Sequence, residues 1–206
     1  MKKMIAFFMC VVLCFSIVGC RSNENQNTVA KEALQRVLDG DESFNYKCLV
    51  FDEVREESLK SFRFHTESNA LNPFSPKAYA YVDFDADGIE ELLILDATLS
   101  FFLILRYDNE NVNGYILEHI DLQNVKTDGS FLTIRYNSYT AISRVSFEEL
   151  DCVVTNLAYK NDSTNIYQLN EKSATKDEVE KYFDDWDENT TKISWTTIEY
   201  RKTLGF

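Results

Sequence analysis

Apolar residues recur along this chain with two periods, and the change from one to the other organises it. Val29, Ala33, Leu34, Val37 and Leu38 fall on one helical stripe. Thr28 suits the N-cap and Gly40 the stop, so the spacing predicts a helix from Thr28 to about Leu38. A less regular acidic and apolar stretch follows from Phe44 to Phe64, with a helix expected near Glu53–Phe62. Asn69 to Pro76 reads as loop. From Lys77 the period becomes two: Tyr79 and Tyr81 open a strand that ends in an acidic loop, and Leu92–Leu95 and Phe101–Tyr107 are the next strands. The segment Tyr107–Gly114 reads as a hairpin connection with Asn113-Gly114 as its turn. Tyr115–Ile120 returns, Asp128-Gly129 and Asn137-Ser138 mark turns around strands Phe131–Tyr136 and Ala141–Phe147, and Cys152–Tyr159 with Ile166–Leu169 forms a hairpin joined at Asn161-Asp162. Thr175-Lys-Asp-Glu178 is a capping box that opens a second helix with a stripe of Val179, Tyr182, Phe183 and Trp186. The tail from Lys192 is expected to end as a strand or short helix. The sum is an α+β domain, a central antiparallel β-sheet made of a meander of hairpins, with an N-terminal and a C-terminal helix.

The first twenty residues break this pattern. Lys2 and Lys3 form a positive n-region, and Met4 to Val18 carries no charge. Met4 to Cys20 is 17 residues, short of the roughly 20 that span a bilayer as a helix, and it sits as a signal does. Ile17-Val18-Gly19-Cys20 resembles the lipobox of bacterial lipoproteins. That resemblance implies a signal peptide over residues 1–19, lipidation of Cys20, and a place on the outer face of a membrane. Two acyl chains suffice for stable anchoring where one is marginal. Residues 20–27 then read as the lipidated cysteine and a polar tether, and 28–206 as one domain.

Removing the 19-residue signal leaves 187 of 206 residues, and no Pro/Gly/Ser-rich linker divides them. The full chain carries a net charge of −13. A surface this acidic repels phosphate backbones and anionic headgroups, so nucleic acid is not an expected partner. Cys48 and Cys152 both lie in apolar runs and read as buried thiols, with a single disulfide in an oxidising compartment as the alternative, rather than as zinc ligands or nucleophiles.

One constellation carries chemistry: Asp83-Phe-Asp85-Ala-Asp87-Gly88-Ile89-Glu90-Glu91. Calcium takes six to eight oxygen ligands, and aspartates at alternate positions of a tight loop can turn their carboxylates to one centre. Asp83, Asp85, Asp87, the Ile89 carbonyl and Glu91 are the expected ligands of one structural calcium ion. Position twelve of an ordinary EF-hand is a glutamate; here it is Ile94. The loop instead resembles the strand–loop–strand calcium loop of integrin-type repeats. It also resembles a group of bacterial surface lipoproteins that carry Asp-x-Asp-x-Asp-Gly-x-x-Glu-Leu-Leu between strands. Asn109-x-Asn111-x-Asn113-Gly114 repeats the spacing without formal charge and reads as hairpin.

Catalytic signatures are missing. His65 and His119 stand in no metal-binding spacing, and the six glycines form neither a nucleophile elbow nor a phosphate loop. The expected function is a non-enzymatic surface lipoprotein, held to the membrane by its lipid anchor, that binds a surface protein or a glycan. An envelope hydrolase and a small solute-binding lipoprotein are the alternatives.

Overall fold

Leu92-Leu93-Ile94-Leu95 is apolar without alternation because the sheet that contains it is covered on both faces. A computed structural model describes residues 24–48, 52–65, 70–118, 122–135, 139–148 and 150–198. The signal, Cys20, His119, the Asn137-Ser138 turn and the end of the tail lie outside these.

The first sheet is built on an antiparallel meander of β5 (Pro76–Val82), β6 (Glu91–Asp96), β7 (Phe101–Asp108) and β8 (Asn111–Glu118). Strand β1 (Phe44–Cys48) adds in parallel to β8, β2 (Glu53–Glu57) pairs antiparallel with β1, and β14 (Thr196–Thr197) closes the other edge on β5. A hairpin of β3 (Arg63–His65) and β4 (Leu71–Pro73) stands apart. A second meander holds β9 (Phe131–Arg135), β10 (Tyr139–Glu148), β11 (Asp151–Asn161), β12 (Ile166–Leu169) and β13 (Lys172–Ser173).

Alternation along the strands feeds two cores. Leu92, Ile94, Leu103 and Leu105 face helix α1 (residues 24–39) and the aromatic cluster of Phe44, Phe62, Phe64 and Phe74. Leu93, Phe102, Ile104 and Tyr115 face the second sheet, meeting Phe131 and Val145 there. Fully burying a side chain of this size stabilises by about 1.5–3 kcal/mol, so a strand buried on both faces gains at every position. Helix α2 (Lys176–Asn189) packs against β11 and β12 with Val179 fully buried, while Tyr182, Phe183 and Trp186 are half-buried.

Several expectations are corrected by this arrangement. The mixed α+β class and the two terminal helices hold, but the strands divide into two packed sheets rather than one, and β1–β8 is parallel. Residues 53–57 are a strand, not a helix, because β1 offers them a paired edge. Thr28 lies inside α1, with its hydroxyl donating to the Glu24 carbonyl at 2.9 Å, and residues 24–27, expected in the tether, are helical. The β7–β8 turn is Asn109-Glu110, at φ +48° and +66°, and Gly114 lies within β8 opposite Leu105. The capping box at Thr175 is present in full. Cys48 and Cys152 are free thiols that join opposite cores of the central sheet, so no bridge links them.

Candidate metal centre

The acidic loop joins β5 to β6 and bends over the end of the space between the sheets. Its conformation follows from aspartate side chains satisfying their own backbone. Asp83 Oδ2 accepts from Gly88 N–H at 3.0 Å, Asp85 Oδ1 from Asp87 N–H at 3.3 Å, and Asp87 Oδ1 from Ile89 N–H at 2.7 Å. Ala86 holds φ +62°, a local strain of the kind that collects at functional loops, while Gly88 takes φ +87° without steric cost.

These bonds gather three of the expected ligands. Asp83, Asp85 and Glu91 bring carboxylate oxygens within 4.8 Å of one another. Asp87 is outside that group: one oxygen takes the Ile89 N–H and the other Arg106 Nη2 at 3.1 Å. Ile89 thus enters the loop's hydrogen bonding through its N–H, as a donor to Asp87. Position nine of the loop is therefore the strongest member of the spacing. Glu91 is the first residue of β6, faces the inter-sheet core beside Leu93, and is 1% exposed.

The electrostatics of Glu91 set the site's character. Its Oε2 accepts from Phe84 N–H at 2.9 Å, but Oε1 has no hydrogen-bond donor; Asp83 Oδ1 is likewise buried without one. Burial pushes the Glu91 carboxyl up to about 8, with the charges of Asp85 and Asp87 adding to the effect and the Phe84 N–H and Arg106 opposing it. Burial also raises the Asp87 carboxyl. Buried carboxylate oxygens without donors are costly, and a bound cation is the species that satisfies several at once.

Spacing along the loop does not reveal Arg106. It follows the Leu92–Leu105 pair across β6 and β7, which makes it the cross-strand neighbour of Glu91. Nη1 ion-pairs with Asp85 Oδ2 and lies 3.5 Å from Glu91 Oε1, and the guanidinium carbon sits 4.7 Å from the Phe147 ring centroid. The sequence does carry one signal for it. Arg106 is the only cation in Phe101–Asp108, and the two-residue period places it on the face of Phe102 and Ile104.

Two further segments brace the loop. Asn27 of α1 exchanges hydrogen bonds with residue 90, its Oδ1 accepting from Glu90 N–H at 2.9 Å and its Nδ2 donating to Glu90 Oε2 at 3.2 Å, and Lys31 ion-pairs with the same carboxylate. On the other side the turn at Gly129 lies against Asp83 and Phe84. That turn is held in place by Lys126, 1% exposed, whose ammonium reaches Asp187 Oδ1 at 3.1 Å and lies 4.5 Å from the Trp186 ring centroid, and by the Trp186 indole, which donates to Ser130 Oγ at 2.7 Å.

Away from the loop, the fold brings His65 to Cys48, with Nδ1 3.7 Å from Sγ. Cys48 is buried in the aromatic core. Burial, and secondarily Glu91, pushes the Cys152 thiol up to about 12. Among the described residues, no helix is long and apolar enough to cross a membrane. No protein-family model matches the chain, and neither a curated protein nor a solved structure is significantly similar to it.

Proposed function

We propose that this chain is a lipid-anchored extracytoplasmic surface module whose α+β domain is stabilised by one calcium ion, and that it binds a surface protein or a glycan rather than catalysing a reaction. The observation that carries the metal reading is the pair of buried oxygens without donors, Glu91 Oε1 and Asp83 Oδ1, in a cluster with Asp85. Three carboxylates supply the charge, and Asp83 and Asp85, half-buried, leave room for water to complete a calcium shell. Magnesium, which demands a tight octahedron and dehydrates reluctantly, fits such a donor set poorly. Lipid anchoring rests on Ile17-Val18-Gly19-Cys20 behind an uncharged run. The binding role rests on the absence of catalytic spacings in the sequence, and Cys48, the thiol beside His65, is buried in the aromatic core.

The test is thermal unfolding of the purified protein in saturating calcium and in chelator. A ligand that binds only the native state stabilises it by RT ln(1 + [L]/Kd). At millimolar calcium and the weak affinity of extracellular modules this is about 0.5–1.5 kcal/mol, a difference of a few degrees. Asp85→Ala should abolish the calcium response. Identical melting curves in the two conditions would return the aspartates to a solvated turn.

A further inference from the structure

Arg106 stands where a metal's charge is needed. We infer that its guanidinium is a resident cation that holds the Asp85–Glu91 pair when no metal is bound, and that calcium enters by displacing Nη1 alone. The inference rests on the calcium reading above and adds the residue that sets the site's affinity. Four observations support it. Nη1 meets Asp85 and Glu91, two of the three clustered carboxylates, and meets them with a single nitrogen. Nη2 meets Asp87, the aspartate that stands outside the cluster. The face of the guanidinium lies over Phe147, so the group keeps an aromatic and an ionic hold after Nη1 withdraws. Glu91, 1% exposed, still leaves Oε1 without a hydrogen bond, so the guanidinium offsets part of the site's charge without satisfying it. An arginine that fitted the pocket as a permanent partner would make the two parallel hydrogen bonds that a guanidinium offers a carboxylate. Here it makes none to Glu91. This division also assigns Asp87 its role, which is to anchor Arg106 rather than to ligate the ion.

The experiment is calcium titration by calorimetry, with melting in chelator, on the full chain and on Arg106→Gln. Removing a positive charge at contact distance from two ligands should raise calcium affinity by about tenfold or more. The same change should lower the melting temperature in chelator, because the carboxylates then repel without a cation. Arg106→Lys keeps the charge without the fork and should fall between the two; it serves as the measurement if Arg106→Gln does not fold. Equal or weaker binding by Arg106→Gln, or by Arg106→Lys where that is the variant that folds, would overturn the inference and make Arg106 a buttress, leaving the calcium reading intact. Binding by the variant but not by the wild type would support the inference while sinking calcium as a constituent of the native protein. Binding by neither would sink both.

Discussion

A β-carbon on Gly129 would fall on the backbone carbonyl oxygen of Asp83 and 2.7 Å from Phe84 Cα. The first carboxylate of the acidic loop is therefore positioned by a backbone-to-backbone contact with a turn 46 residues further along the chain. Gly129 also holds φ +78°, where a side chain is strained. Gly129→Ala should cost about 2–4 kcal/mol from the two effects together, or roughly 5–15 °C in melting temperature for a domain of this size. Because the displaced group is the Asp83 backbone, the calcium response should shrink as well. Wild-type melting in both calcium and chelator would show that the turn gives way freely and that the contact does not position the site.

A similar approach fixes β8 in the sheet. A β-carbon on Gly114 would lie 2.6 and 2.7 Å from two ring atoms of Phe44 and 3.3 Å from Leu103 Cδ1. That ring cannot retreat easily, since it is buried with its edge against Phe62, the centroids 5.0 Å apart. Gly114→Ala should destabilise by about 1–3 kcal/mol. Adding Phe44→Leu should cost less in the Gly114→Ala background than in the wild type, because the two changes share one space. Strict additivity in the double-mutant cycle would mean that the ring moves aside.

Gly114 also shows where the sequence stops being legible. Asn113-Gly114 has the composition of a two-residue hairpin turn, and Asn109-Glu110 does not, yet the latter makes the turn. Turning at Asn109 lets β8 keep Val112, Tyr115 and Ile116 in register with β7, and a one-residue slip would send every side chain to the wrong face. The glycine is there for a ring contributed by β1, which no local pattern discloses. The same limit applies at 53–57, where a charged run that suits an exposed helix is exposed as an edge strand. Strong local signals survived: the capping box at Thr175, the stop at Gly40, and the strands opened by Tyr79 and Tyr81, at Leu92–Leu95 and at Phe101–Tyr107. Asp83, Asp85 and Glu91 were legible because their spacing is local. Arg106, Asn27 and Gly129 come from three other elements, and only the fold brings them to the loop.

The lipobox reading makes a separate expectation. Replacing Cys20 with serine removes the thiol that would carry the lipid. Cys20→Ser protein should leave the membrane fraction or accumulate as uncleaved precursor, read by fractionation and by mass. Membrane-bound Cys20→Ser protein of mature size would show that the anchor lies elsewhere.

The Glu91 carboxyl gives the metal-free protein a pH dependence of definite sign. It titrates near 8 in the folded state against about 4.5 ordinarily, chiefly because burial disfavours its ionised form. The folded chain therefore holds this proton more tightly than the unfolded chain does. Stability in chelator is fully present below about 4.5 and declines as pH rises toward 8. The loss amounts to a few kcal/mol, since each tenfold difference in proton affinity between the folded and unfolded chain is worth about 1.4 kcal/mol. The raised carboxyl of Asp87 acts in the same direction. On the proposed calcium reading the ion should reverse the trend, since it would bind the ionised carboxylate and tighten over the same range. Melting temperature measured in chelator from about pH 5 to about pH 8 should therefore fall, and Glu91→Gln should flatten most of that fall while abolishing calcium binding. If the wild type and Glu91→Gln decline in parallel, the proton belongs to another group and the buried end of the loop is not the source of the site's strain.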